Sequence, residues 1–97
     1  MIVGVLRAEL YLPRAHSLKE RRSVVKSLRD QLRGRFNVAV AELDINERWQ
    51  RAAIGCTVLG EDRRYLQGLL QAVSTWLRAT GLAEVSTLEE EDVYPCT

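Results

Sequence analysis

The apolar residues of this 97-residue chain switch repeatedly between two spacings, and the order of those switches restricts the fold more than any other feature. Residues 2 to 12, IVGVLRAELYL, alternate. Ile2, Leu6, Ala8, Leu10 and Leu12 face one way, and Val3, Val5, Arg7, Glu9 and Tyr11 the other, the pattern of a strand covered on one side. Pro13 closes that strand, and Ser17-Leu18-Lys19-Glu20 has the spacing of a capping box. Leu18, Val25, Leu28 and Leu32, with Val24 beside them, then form one stripe at helical spacing. The helix is expected to reach about Arg33, with Gly34 as the left-handed residue that stops it. Phe36 to Leu43 and Trp49 to Gly60 return to period two. The second of these puts Ala52, Ile54, Cys56 and Val58 on its core face, and the turn-like segment 44–48 joins the pair as an antiparallel hairpin. Asp62 caps a second helix, expected to about Thr80, whose stripe is Leu66, Leu69, Leu70, Val73, Trp76 and Leu77. Gly81 ends it, and a shorter strand is expected from Glu84 to Glu89.

Two amphipathic helices set among four strands in the order βαββαβ predict an α+β fold. With right-handed crossovers it is a two-layer, ferredoxin-like sandwich with antiparallel sheet order 4-1-3-2. Residues 1–97 make a single domain, with about 93–97 expected as a mobile tail.

Composition narrows the function classes. No apolar run approaches the ~20 residues of a membrane span, so no membrane partner is expected. Met1 to Val5 is apolar but follows no basic segment and reads as a strand rather than a signal peptide, which points to the cytoplasm. Two distant cysteines, Cys56 and Cys96, and one histidine, His16, make neither a disulfide framework nor a metal site, and no cofactor is expected. His16 and Arg14 precede a helix N-terminus, but no glycine-rich phosphate loop accompanies them and no nucleophile is paired with a base. The expected catalytic and metal residues are therefore none, and the chain is not expected to be an enzyme.

The net charge of +1 conceals an asymmetry. From Arg14 to Arg35 eight basic residues face two acidic ones, a balance of +6, while the acid gathers late in Glu89-Glu90-Glu91-Asp92. Lys19, Arg22, Lys26, Arg29 and Arg33 fall within one arc of roughly 80° on the first helix and form a row roughly 21 Å long beside the buried stripe. A straight row of cations suits several phosphates, so these five are the candidate nucleic-acid-binding residues. The uncovered sheet face is the second candidate surface. Val3, Val5, Tyr11, Leu43, Trp49 and Leu59 make it too apolar to stand in water over a large patch, and they are the candidate oligomer interface. Strand two is also expected at a sheet edge, where free backbone groups invite pairing. The centre of strand three, with Ala53, Gly55 and Thr57, lacks the aromatic platform on which RNA-recognition motifs stack bases. Trp49 and Tyr11 are the aromatics expected near this face, and a dimer contact explains them better than base stacking.

Ser17-Leu18-Lys19-Glu20-Arg21-Arg22-Ser23-Val24-Val25-Lys26-Ser27-Leu28, with the segments Arg35 to Glu42 and Trp49-Gln50-Arg51-Ala52, resembles the signature of the YlxP-like family of small bacterial proteins of unknown function. The resemblance implies a ferredoxin-like fold and a cytosolic protein, often encoded beside translation and ribosome-maturation factors. It therefore suggests ribosomal RNA or a ribosomal protein as partner, and it carries no catalytic residues. Two functions are expected from these readings. One is a non-enzymatic RNA- or ribosome-associated module using the basic face of the first helix. The other is a homo-oligomeric protein-interaction or regulatory module, a homodimer for example, using the open sheet face and binding no nucleic acid.

Overall fold

A computed structural model of the chain describes residues 1–43 and 48–95, of which 87–95 are described by their backbone alone. Its elements are β1 (Ile2–Tyr11), α1 (Leu18–Arg35), β2 (Ala39–Leu43), β3 (Arg51–Gly60), α2 (Arg63–Ala79) and β4 (Glu84–Pro95). The four strands form one antiparallel sheet in the order β2-β3-β1-β4, which is the expected 4-1-3-2 read from the opposite edge. β1 is central and pairs with β3 without a break from Ile2↔Gly60 to Tyr11↔Arg51.

Both helices cover one face of this sheet. Leu6, Leu10, Ile54 and Val58 meet Val25, Leu28 and Leu32 of α1 and Leu66, Leu70, Val73 and Leu77 of α2 in a single buried cluster. Each such side chain contributes about 1.5–3 kcal/mol on leaving water. α1 packs chiefly on β2, and α2 lies over β4, β1 and β3. The close seat of α2 depends on Gly4, where an added Cβ would stand 2.8 Å from Val58 Cγ2 and 3.0 Å from Leu70 Cδ1. Gly81, at φ 75°, adopts the left-handed conformation that ends α2.

The boundaries differ from expectation where a tertiary contact overrides the local signal. Gly34 does not stop α1, which continues through Arg35 and is capped by Phe36. The Arg35 guanidinium lies over the Trp76 ring of α2, 5.6 Å from its centroid, and this tether keeps the last turn helical despite the ~1 kcal/mol that a glycine costs there. β2 starts at Ala39 rather than Phe36, because the Phe36 amide still donates to Leu32 O. Its carbonyl is also taken, by the Val38 amide. β3 starts at Arg51, two residues later than expected. β4 is longer than expected and pairs with β1 as far as Ile2↔Pro95, taking up register shifts between Val3 and Val5 and between Glu9 and Leu10. Of the segment 93–97 expected as a tail, 93–95 lie in β4, where Tyr94 and Pro95 pair with Val3 and Ile2, and 96–97, with Cys96, lie outside the described residues. Residues 44–47 of the hairpin and the side chains of Glu89-Glu90-Glu91-Asp92 lie outside them too.

Candidate functional site

The start of α1 is fixed by its cap. Ser17 Oγ accepts from the Glu20 amide at 3.1 Å, and the Glu20 carboxylate accepts from the backbone N–H of His16 at 2.7 Å. The reciprocal bond thus lands one residue earlier than in an ideal capping box, but it satisfies an orphan donor in the same way. From this start the 3.6-residue period turns Arg21, Val25, Leu28 and Leu32 inward. The two flanks of the stripe then meet different neighbours. Arg35 marks the flank toward α2, whereas Arg33 marks the other by donating Nη2–H to Val40 O of β2 at 2.9 Å. The basic row occupies this second flank and runs beside the edge strand, away from α2.

Its five members are not equivalent. Lys19, Arg22 and Lys26 are exposed, and Lys26 forms a 3.0 Å pair with Asp30 one turn along. Such an exposed i,i+4 pair is worth about 0.3–0.5 kcal/mol and yields readily to a stronger anion. Arg29 is half-buried, and its Nε, shielded from water, has no acceptor among the described residues. Arg33 is exposed overall yet holds the Val40 carbonyl. Among the described residues Lys26 is the one member of the row paired with a carboxylate.

The neighbouring Arg21 is a different kind of residue, which the charge count alone does not separate from the row. It is 3% exposed, and its Nη2 lies 2.9 Å from Glu42 Oε1 of β2. The helical wheel carries the signal, since Arg21 falls between Leu28 and Leu32 in the middle of the apolar stripe. The pair fastens α1 to the edge strand.

The opposite sheet face is divided in two. Val3, Val5 and Leu43 are half-buried, and Leu59, 63% exposed, stands beside them. Val5, Ala39, Ala41, Leu43, Gly55 and Thr57 line a shallow, almost wholly apolar hollow of about 300 Å³. Leu43 folds over Gly55, where an added Cβ would lie 3.0 Å from Leu43 Cδ1. Ala53, expected on this face, is on it but buried, flanked in register by Leu43 and Glu9. Tyr11 and Trp49, the other two candidate interface residues, stand apart at the end of the sheet with Arg48, Gln50 and Arg51 around a second hollow of about 420 Å³. There the Arg51 guanidinium lies 5.4 Å from the centre of the Tyr11 ring, a cation–π contact set by the Tyr11↔Arg51 cross-strand pair.

Cys56 is buried on the helix-facing side of β3, and burial pushes its thiol up to about 11, so it carries no nucleophile at neutral pH. Among the described residues no three histidine, cysteine or acidic side chains gather as metal ligands, and no helix is long and apolar enough to cross a membrane.

Comparison with known proteins agrees with this picture of a fold without an assigned chemistry. The chain is 29% identical over 76 residues to the uncharacterized protein YlxP of Bacillus subtilis (strain 168), a match that covers 78% of this chain and 83% of that protein. A family model described as "protein of unknown function (DUF503)" matches residues 3–90. Nearly the whole sandwich falls within that match, and the chain belongs to the DUF503 family.

Proposed function

We propose that the chain is a cytoplasmic, non-enzymatic RNA-binding module that holds its ligand along the outer flank of α1. The observation that supports this reading most is the row itself. Lys19, Arg22, Lys26 and Arg33 stand exposed on one rigid helix with a single carboxylate partner among the described residues. Like charges at i,i+4 spacing destabilise a helix slightly, so a one-sign row is maintained against the folding of α1 rather than for it. Phosphates at regular intervals are the ligand that repays such spacing through counterion release. Ribosomal RNA is the source that the family resemblance suggests.

The test is the affinity for a ribosomal RNA fragment measured across a salt series. Four or five phosphate contacts on a single strand give a log-log slope near −3. Changing Lys19, Arg22 and Lys26 together to glutamate weakens binding and reduces the slope by about 2. Arg29 and Arg33 are left in place because Arg29 is half-buried and Arg33 bonds the Val40 carbonyl. An affinity indifferent to salt, or a triple variant that binds as the parent does, removes the proposal.

A second reading is supported by a separate observation, the exposure of Leu59 beside the apolar hollow of Val5, Ala39, Ala41 and Leu43. A second copy of the chain placed against this stretch buries it in a homodimer. Light scattering across a concentration series tests that reading, and Leu59→Asp should shift the equilibrium toward monomer. A parent protein that stays monomeric at high concentration counts against it.

A further inference from the structure

The end of the sheet where β1 stops and β3 begins differs in character from the rest of the open face. Trp49 is 53% exposed there, two residues before β3, and its backbone is pinned because the Leu12 amide donates to the neighbouring Gln50 carbonyl at 2.9 Å. The Arg51 guanidinium is held from two sides, by the Tyr11 ring below it and by Ser86 Oγ, 3.3 Å from Nη1. Tyr11, Trp49, Gln50 and Arg51 thus surround one shallow hollow with an indole, a phenol ring and a fixed planar cation. The apolar stretch around Leu59 offers no comparable grouping.

An indole more than half in water beside an immobilised guanidinium suits a flat, electron-rich ring better than an aliphatic surface. Nucleobases are such rings. They stack on aromatic faces and guanidinium planes when they are unpaired, whereas the bases of a duplex already stack on one another and show a protein only their edges. The hollow also lies at the same end of the molecule as the start of the basic row. β1 ends at Tyr11 and α1 begins at Leu18, so exposed Lys19 and Arg22 stand in the helix layer near the end of the sheet that carries Tyr11 and Arg51. A polynucleotide lying along the row can therefore continue around that end to the hollow.

We propose that this corner is a base-binding site, with Trp49 as the stacking platform and Arg51 as the positioned cation. The RNA held by the basic row, on whose reading this inference rests, is accordingly single-stranded. Trp49 is then a specificity-determining residue for unpaired over paired RNA.

The experiment uses the full chain and three probes: an oligouridylate of about a dozen nucleotides, a blunt RNA duplex of similar length, and inorganic polyphosphate. In a Trp76→Phe background the remaining indole is Trp49, and its fluorescence should be quenched by the single strand but not by the duplex or by polyphosphate. In the parent, Trp49→Ala should weaken single-strand binding roughly 5- to 150-fold, leave the salt slope unchanged and leave duplex binding untouched. Trp49→Phe should retain most of the single-strand affinity, which separates stacking from a defect in folding. The inference is overturned if Trp49→Ala binds the single strand as the parent does, or weakens all three probes alike. It is also overturned if the substitution dissociates a dimer with no change in RNA affinity. If the Lys19, Arg22 and Lys26 triple variant loses all three probes while Trp49→Ala loses none, the basic-row reading stands and this inference falls. If the parent binds none of them, both fall.

Discussion

Arg21 and Arg22 are adjacent in the chain and identical in chemistry, and the fold gives them opposite tasks. Arg21 is sealed between α1 and β2 and paired with Glu42, whereas Arg22 stands in water on the row. One is part of what holds the helix on the sheet; the other is available to a ligand. Positive charge counted along a sequence therefore overstates positive charge on a surface, and the position of each residue around the helix decides which it supplies. The same division runs through the sheet, where every other residue of β1 and β3 faces the helices and its neighbours face out.

The sharpest way to break the comparison is to remove each arginine in turn. Arg21→Ala leaves the Glu42 carboxylate without the Arg21 guanidinium in a partly buried site and should lower stability by about 3–5 kcal/mol, read from denaturant unfolding. Arg22→Ala should change stability by no more than about 0.5 kcal/mol. Equal effects would erase the distinction. A smaller effect is expected from the helix-facing side of β3. Cys56 has its thiol raised from 9.0 to about 11 by desolvation, so the folded state favours the protonated form. A raised folded value gives a contribution that is complete below about pH 9 and is lost as pH climbs to about 11. The loss is about 2–3 kcal/mol, and it should be missing from the difference in stability between the parent and Cys56→Ala followed from pH 8 upward if the thiol is not the source. The smallest contrast compares two glycines. Gly4→Ala forces its Cβ against Val58 and Leu70 in the core and should cost about 1–3 kcal/mol. Gly55→Ala meets the end of the half-buried Leu43 side chain on the open face, which can swing aside, and should cost clearly less in the same denaturant unfolding measurement.

The architecture was legible because each element carries its own period. Leu28 and Leu32 of α1, and Ala52, Ile54, Cys56 and Val58 of β3, are buried where their spacing places them. The ends were less legible, because they depend on partners distant in sequence. Arg35 is held by Trp76 across the helix layer, so Gly34 remains inside the helix instead of stopping it. β4 continues through an acidic run that has no alternation to announce a strand, since its order comes from pairing with β1. The candidate surfaces were legible only in outline. The arc of the row follows from helical geometry, but the partial burial of Arg29 and the bond from Arg33 to Val40 do not. Nor does the Tyr11–Arg51 stack, which requires the register of β1 on β3. For Arg21 the place in the apolar stripe is visible on the helical wheel, but its pairing with Glu42 is not, because that requires β2 to lie against α1.

The bond from Arg33 to the Val40 carbonyl has a thermodynamic corollary. In an antiparallel pair a residue turns both backbone groups toward its partner strand or both away, so the carbonyl claimed by Arg33 is one that β3 does not use. The guanidinium thus acts as a guard on an open margin that would otherwise template another strand. Occupation of that guanidinium by an outside anion and addition of a strand along β2 are consequently linked equilibria: whatever draws Arg33 outward uncovers the margin, and whatever docks on the margin frees the cation.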